Sequence, residues 1–563
     1  MAKNIKNNWL IICILLLAAI LRLWGLSKNP VALFGDEYDL GYQAYSILKT
    51  GRDYSGNFMP LHFQSLAEWR TPLYLYSAVP TVAIFGISPL GVRLPAAIFG
   101  ILSIYVFYLL IYQLTKNKSL PAEPAKLRLS LVSAFLLAIS PWHLQYSRAG
   151  FEVTLLLLFL LSGLYCFFKF LHNSKYLIPA TVFLTLTPWI YSTAKLFTPL
   201  LMIFLLVTWR KAIIAFPKKH LVFSFLAFMF IGLPVAFSTL FGGGSQRFGY
   251  VSVFTDPEME NNIGMERLVD ARIQGGGGRL FHNKFTYWGE TIINNYLGAF
   301  STNFLFVKGD PNVRHSIGTG EFYKIDFFLL ILGIVLFFTY FKDKKIKFLF
   351  AFWLLVGVLP SAITRDGGNH ASRLILILPP LIFLVAYGFV NLNKYLKYLY
   401  LAFIFLSFIF YFHRYSVHYP QASERWWHYG WGESFKAIKQ IEKDYDRIFI
   451  SMSGEPAWIF TAGAYEYPPN EWHKGYPFAD TEVEGFGGMS YIGKFYFGSP
   501  DEDGAGLYGL HKYITPKDLY LANAKESGEN LIIYPDKVPV DLKLIKAVAF
   551  PSGEPAFYIF SKN

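Results

Sequence analysis

Apolar residues fall along this chain in long unbroken blocks, among them ILLLAAILRLWGL, FLLILGIVLFFTYF, FLFAFWLLVGVLP and YLYLAFIFLSFIFYF. A run of roughly 17 to 25 mostly apolar residues is long enough, as a helix, to cross a hydrocarbon core of about 30 Å. Such blocks lie near 10–26, 72–88, 92–115, 130–148, 151–171, 177–192, 196–209, 220–240, 326–341, 348–364, 372–391 and 397–412. They predict roughly 11 to 13 transmembrane helices. Two polar stretches interrupt the series, 27–71 and 241–325, and both read as external loops. The second carries glycine runs at 242–244 and 275–278. Structureless loops beyond about 15 residues are usually functional or mobile. Past Arg414 the pattern changes, with strand-like RIFISMS, NLIIYP and AFYIFSK and a helix-like ESFKAIKQIEKDY. The predicted fold is an α-helical polytopic membrane domain over 1–412, followed by a soluble α/β domain over 413–563.

Composition agrees with that reading. Of 563 residues, 54% are hydrophobic and only 16% charged, against about 25% charged in ordinary soluble domains. A soluble enzyme, a disordered chain and a fibrous protein are excluded. The net charge of +13 is split unevenly. From Arg414 onward there are 15 Lys+Arg and 20 Asp+Glu, which leaves 36 and 18 of the totals 51 and 38 for the membrane part. Basic clusters at 116–128, 169–175, 209–219, 342–347 and 394–397 mark a cytoplasmic side. That bias accounts for the positive charge without nucleic acid as a partner.

Arg22 and Trp24 close the first block as interfacial anchors would, which predicts a retained helix with a cytoplasmic N-terminus rather than a cleaved signal. Counting outward puts 241–325, 361–371 and the C-terminal domain outside a plasma or inner membrane, with one crossing too many between 72 and 115. Cys13 and Cys166 both lie in apolar blocks, so neither a disulfide framework nor a cysteine zinc site is supported.

The stretch after the first helix holds the first candidate chemistry, the adjacent carboxylates of Asp36 and Glu37 in FGDEY. Spacing alone leaves them open between a solvated loop and a general base. A carboxylate beside an apolar membrane face is partly desolvated, which raises its proton affinity and suits it to accept a proton from a hydroxyl. The order of motifs narrows the choice. One helix and the Asp-Glu pair are followed by GYQAY, TGRDYSG, EWRTPLYLY and FGIS, then VRLP. This arrangement resembles the start of GT-C type glycosyltransferases that use polyprenyl-phosphate sugars. The nearest likeness is to bacterial family 39 proteins, related to protein O-mannosyltransferases and the lipid A aminoarabinose transferase. It is strong over about residues 9 to 115 and looser through YSTAK, PNVRHS and HASR.

The resemblance implies a membrane glycosyltransferase that moves a sugar from a polyprenyl-phosphate donor to a lipid, glycan or protein hydroxyl on the external face. The catalytic carboxylate falls on Asp36, with Glu37 beside it. Phosphate is already a good leaving group, so one base suffices for a single inverting displacement, unlike glycoside hydrolysis with its two carboxylates. The departing phosphate needs cations. Arg70 stands one residue farther from its proline than the basic residue of family relatives. Lys195 follows Tyr191 by four, on one face if that stretch is helical; otherwise it is a snorkelling lysine. The stretch SAITRDGGNHASR brings Arg365, His370 and Arg373 into one glycine-containing external loop, where arginine forks suit phosphate. Arg148, Asn312, Arg314, His315 and Trp69 are further candidates for substrate contact, Arg148 otherwise being an interfacial anchor. Trp69, Tyr74, Tyr191 and Trp189 could stack on sugar faces, as could Trp426, Trp427, Trp431 and Trp472 in the C-terminal domain.

No cofactor is expected. The histidines are scattered without an HExxH-like spacing, and a divalent ion at Asp36 and Glu37 is the alternative. Two other functions share the sequence features. A flippase for lipid-linked sugars would tend to carry internal repeats, and none is evident. An oligosaccharyltransferase of the same superfamily would move a whole glycan.

Overall fold

The computed structural model describes residues 2–66, 68–115, 123–274, 278–500 and 506–563. Part of the expected basic cluster at 116–128 and residues 275–277 of the second glycine run lie outside them. The chain forms two compact units: Met1–Trp24, Leu66–Tyr74 and Ala96–Phe412 in the first, and Gly25–Ser65, Leu75–Pro95 and His413–Asn563 in the second. The division expected at 412/413 is close to one of these cuts, but much of the first polar stretch belongs with the C-terminal residues.

The first unit is helical. Among the described residues of the whole chain, six helices are long and apolar enough to cross a membrane: Pro89–Thr115, Val153–Phe170, Lys218–Phe241, Lys344–Ala362, Ala371–Val390 and Lys394–Ser423. Shorter apolar helices run over Trp9–Leu23, Pro72–Phe85, Ala194–Thr208 and Asp326–Tyr340. The chain is a multi-pass membrane protein. Burial ranks these helices. The window in Ala371–Val390 is 94% buried and forms the centre, whereas that in Lys218–Phe241 is 11% buried and presents its apolar side chains outward.

Tight packing at the centre depends on glycine. A Cβ on Gly333 would stand 1.9 Å from the carbonyl oxygen of Leu384, and one on Gly388 would stand 2.3 Å from that of Leu329. Small residues at a crossing let two membrane helices approach backbone to backbone.

Several elements differ from the sequence expectation, each for a local reason. The block at 130–148 is a helix over Glu123–Ile139, then a break and a short helix over Pro141–Tyr146. Ser140 caps the second helix by accepting the amide of His143, and Pro141 suits its first turn, where no amide donor is needed. Arg22 is not an interfacial anchor. It is fully buried, donating to the carbonyls of Ala18 and Ala138 and standing 2.8 Å from His143 Nδ1. The stretch 241–325 is largely helical, with helices over Gln246–Val251, Met259–Gln274 and Lys284–Gly298. Its polar composition hid them because they have no continuous apolar block.

The second unit is built on a seven-stranded sheet. Its strands are β1 (Arg447–Ile450), β2 (Ala479–Val483), β3 (Gly487–Ile492), β4 (Phe495–Phe497), β5 (Asp518–Asn523), β6 (Leu542–Ala549) and β7 (Pro555–Lys562), in the order β2-β3-β4-β1-β5-β7-β6. β1 pairs parallel with β4 and β5, and the remaining neighbours are antiparallel. The expected strands RIFISMS and AFYIFSK are β1 and β7. NLIIYP is not a strand but a turn leading to a 3-10 segment at Pro535–Lys537. Phe449, Phe486, Met489, Tyr520, Tyr558 and Phe560 fill the core on one face. The amphipathic helix Trp431–Ile441 and the helix Ala457–Ala464 pack together, Trp431 stacking on Phe460 at 4.4 Å.

The glycine crossing makes a direct prediction. Replacing Gly388 with Leu drives a side chain into the opposing backbone, and overpacking of this kind typically costs about 1–3 kcal/mol. The variant should unfold at a lower temperature in detergent, followed by intrinsic fluorescence; an unchanged melting temperature would contradict the close crossing.

Candidate active site

In the second unit, residues 35–50 are not a loop but a helix, Gly35–Thr50, with Asp36 and Glu37 in its first turn. The positive end of a helix favours negative charge there. Asp36 is half-buried. Glu37 is fully buried and held by Arg93, whose Nε and Nη2 each donate to one of its oxygens at 2.7 Å. Arg93 also donates to the carbonyls of Pro30 and Ala32. The forked pair fixes the turn that leads into the helix and occupies both oxygens of Glu37. Glu37, grouped with Asp36 as catalytic on sequence, is a buried ion-pair partner of Arg93.

The C-terminal part of the same unit holds this helix along its length. Phe34 meets the edge of Trp427, and the Gly35 amide donates to His428 Nδ1 at 3.2 Å. Farther along, Tyr38 packs on Phe460, and Tyr42 donates to the carbonyl of Tyr467 and meets Trp472. Gly463 leaves room for Tyr38, whose Cδ1 would stand 2.7 Å from a Cβ there. Trp427, Trp431 and Trp472 are thus packing residues rather than exposed carbohydrate platforms, and only Trp426 of the four is exposed.

The first unit contains a cavity of about 310 Å³. Lys195, Arg247 and Arg373 enter it alongside Tyr191, Ser192 and Thr364, with apolar walls from Leu196, Phe248, Val251 and Ile363. Its described lining contains no carboxylate. Lys195 Nζ donates to the Gly244 carbonyl at 2.6 Å, and Arg373 Nη1 donates to Thr364 Oγ1 at 2.7 Å and to Asp366 at 2.5 Å. Backbone pairing of Ser252 with Thr364, and of Arg365 N with Val251 O, draws the segment after Arg247 against the one before Arg373. Tyr191 lies in the turn before Ala194–Thr208, so it and Lys195 do not share a helical face as the spacing suggested, yet both line the cavity.

Sequence reasoning missed Arg247. A signal was present: it follows the glycine run in GGGSQRFG as a basic residue on the expected outer side, the same argument that singled out Arg365. Arg365 itself does not line the cavity. Its guanidinium donates to the Tyr250 carbonyl and lies 3.9 Å from Asp256. Arg70 is buried next to Thr71, whose hydroxyl donates to the Ile190 carbonyl at 2.7 Å, and Trp69 packs over Gly243. Tyr74 and Trp189 are core residues, the latter donating to the Ile231 carbonyl. Arg148 caps the first helix by donating to the carbonyls of Leu21 and Trp24 at 2.8 and 2.9 Å. That is the anchoring alternative read from the sequence.

His370 does not line this cavity. It opens on another, of about 360 Å³, lined by Asn295, Asp310, Asn312, Asp366 and Asn369. Here the structure gathers what looked scattered along the chain, since Asp310, His315 and His370 offer ligand atoms within 4.8 Å of one another. Asp310 Oδ2 lies 2.9 Å from His315 Nδ1 and accepts the Ala371 amide at 2.7 Å. Burial pushes the Asp310 carboxyl up, but the His315 hydrogen bond and the neighbouring imidazoles bring it below the ordinary value. Burial, with Arg373 next, holds His370 well below the ordinary imidazole value, so it is neutral. Asn312 and Arg314 belong to the same loop, where Asn312 Oδ1 accepts the Arg314 amide and Gln145 donates to the Arg314 carbonyl.

The Glu37–Arg93 pair carries a prediction. Arg93→Met leaves a buried carboxylate without its partner, which typically costs about 3–5 kcal/mol. Thermal unfolding should show a large drop for the single variant and a smaller one for Glu37→Gln/Arg93→Met. Equal melting temperatures for wild type and Arg93→Met would contradict the pairing.

Comparison with known proteins adds to this geometry. Residues 70–236 match the model of the family described as Dolichyl-phosphate-mannose-protein mannosyltransferase. No curated protein sequence matches the chain. Among solved structures, ArnT from Cupriavidus metallidurans bound to undecaprenyl phosphate is similar in fold, with a TM-score of 0.51 at 11% identity, covering 98% of each chain. The Archaeoglobus fulgidus oligosaccharyltransferase complexed with Zn and sulfate gives a TM-score of 0.48 at 14% identity, covering 81% of this chain and 61% of that one, so the chain spans about three fifths of its length. The Saccharomyces cerevisiae Pmt1-Pmt2 complex bound to the sugar donor gives 0.31 at 20% identity over 41% of this chain and 32% of that one. The family match overlaps the stretch of motif resemblance over residues 70–115, and the likeness to ArnT is one of fold.

Proposed function

We propose that this chain is an integral membrane glycosyltransferase of GT-C type that transfers a sugar from a polyprenyl-phosphate donor to a hydroxyl of a lipid, glycan or protein acceptor. The observation that carries the reading is the cavity of Lys195, Arg247 and Arg373. Three cations beside apolar walls, with Tyr191 and Ser192 as further polar groups, have the chemistry to take a phosphate attached to a hydrocarbon chain. The fold likeness to ArnT, whose structure is bound to undecaprenyl phosphate, supports a polyprenyl-phosphate ligand.

The reaction that fits is a single displacement with inversion. The acceptor oxygen forms a bond to the anomeric carbon while the bond from that carbon to the phosphate oxygen breaks. The acceptor proton passes to Asp36, and the electron pair leaves with polyprenyl phosphate. Asp36 is assigned as base from the family resemblance, and its place at a helix N-terminus favours the ionised form that a base must have. Glu37 and Arg93 are positioning residues that hold the start of that helix. Arg70 and Trp69 adjoin the Ile190–Tyr191 turn and the Gly243 segment that border the cavity, which keeps Arg70 a candidate for the phosphate. The reading puts the reaction on the extracytoplasmic side, which the placement of the basic clusters supports.

Purified protein with a short-chain polyprenyl-phosphate sugar and a hydroxyl acceptor should release free polyprenyl phosphate. Asp36→Asn should slow release by about a hundredfold or more while leaving donor binding intact. Arg247→Gln should weaken donor binding by about tenfold, the worth of one charged hydrogen bond. Undiminished turnover by Asp36→Asn would refute the base, and unchanged donor affinity in Arg247→Gln would refute the phosphate site.

A further inference from the structure

The loop from Gly309 to Glu321 is organised by its own polar groups. Asp310 Oδ1 accepts the Asn312 amide at 2.8 Å, Glu321 Oε1 accepts the Asp310 amide at 3.1 Å, and Ser316 donates to the Thr319 carbonyl at 2.8 Å. Gly309 turns with φ of +74°, and a Cβ there would meet the Thr319 carbonyl at 2.3 Å. This local order presents Asp310 and His315 together. The facing loop supplies His370, whose ring centroid is 4.9 Å from that of His315. Asp310 Oδ2 also accepts the Ala371 amide, so the two loops are already tied at the same carboxylate.

We propose that Asp310, His315 and His370 form a binding site for a divalent transition-metal ion of zinc type, with a fourth position open to the adjacent 360 Å³ cavity. Two imidazoles and one carboxylate with an open position are a donor set that zinc takes readily. In a tetrahedral site with bonds of about 2.0–2.1 Å, ligand atoms stand roughly 3.3 Å apart. The three ligand atoms here fall within 4.8 Å of one another, and a bound ion would draw them in to the tetrahedral spacing. His370 also has the supporting contact that a ligating histidine needs. Its Nδ1 lies 3.0 Å from Ser372 Oγ, which leaves Nε2 for the ion. Ser372 Oγ in turn lies 3.1 Å from the Tyr191 hydroxyl. A bound ion would thus lock the Gly309–Glu321 loop onto the segment that carries Ser372 and Arg373, and its ligand shell would reach Tyr191 through one hydroxyl. The inference rests on the geometry of the cluster alone and stands whether or not the chain transfers sugars.

The test uses full-length protein in detergent with its affinity tag removed, so that no added histidines compete. Protein stripped with a chelator and titrated with Zn²⁺ alone should bind one ion per chain. His315→Asn and His370→Gln should each weaken that binding by about 10–100-fold or more. Co²⁺ substituted into the unaltered protein should give the intense visible absorption of a tetrahedral site, a readout that needs no variant to fold. Absence of stoichiometric Zn²⁺ binding by the unaltered protein, or equal affinity in the His315→Asn/His370→Gln double variant, would overturn the proposal. Absence of glycosyl transfer in unaltered protein that binds Zn²⁺ would count against the transferase reading and leave the metal site standing.

Discussion

Cations held away from bulk water beside apolar walls are costly unless opposite charge or oriented dipoles compensate them. Around Lys195 and Arg373 that compensation comes from a carbonyl, a hydroxyl and one carboxylate. The Gly244 carbonyl takes Lys195, while Asp366 and Thr364 take Arg373. The walls add no carboxylate among the described residues. A pocket of this kind is poised for an anion, and the more so for one whose tail the neighbouring apolar residues can receive. The surrounding fold serves that arrangement. Pairing between the Val251–Val253 segment and Ile363–Arg365 brings two of the cations together, and the turn before Ala194–Thr208 supplies the third with Tyr191.

The second unit solves a different problem, that of holding a short polar helix rigid. The helix Gly35–Thr50 buries charged Glu37 and Asp39 alongside Tyr38, Leu40, Tyr42 and Ile47. Its start is fixed by Arg93 gripping Glu37 and the carbonyls of Pro30 and Ala32, and its length by aromatic contacts from the C-terminal residues. The C-terminal sheet domain is in this sense part of the machinery that positions Asp36. That gives a physical reason for the dense aromatic content of residues 426–478.

Much of the membrane fold was legible because a lipid-spanning helix must be apolar throughout, and a continuous apolar block is hard to mistake. The helices Lys218–Phe241 and Asp326–Tyr340 fall within a few residues of the expected blocks. What periodicity did not reveal were helices without such a block, Gly35–Thr50 and those between 246 and 298, where tertiary partners stabilise a polar sequence. Residue roles divided along the same line. Lys195, Arg373 and Tyr191 share the cavity, whereas Arg148 and Arg365 are tied to carbonyls elsewhere, because arginines at membrane boundaries serve as caps as readily as ligands. Arg247 and Asp310 escaped notice since each acquires its company only through contacts distant in sequence. His315 and His370 looked scattered for the same reason: 55 residues separate them along the chain, and one hydrogen-bonded carboxylate joins them.

The most direct test of the central claim is to map where a lipid phosphate sits. A polyprenyl phosphate analogue with a photoactivatable group next to the phosphate, cross-linked to the intact protein and located by mass spectrometry, should label residues within 191–196, 239–251 and 360–373, and excess unlabelled polyprenyl phosphate should suppress it. Labelling confined to the outward-facing surface of helix Lys218–Phe241, and insensitive to that competitor, would show that the cations serve some other purpose.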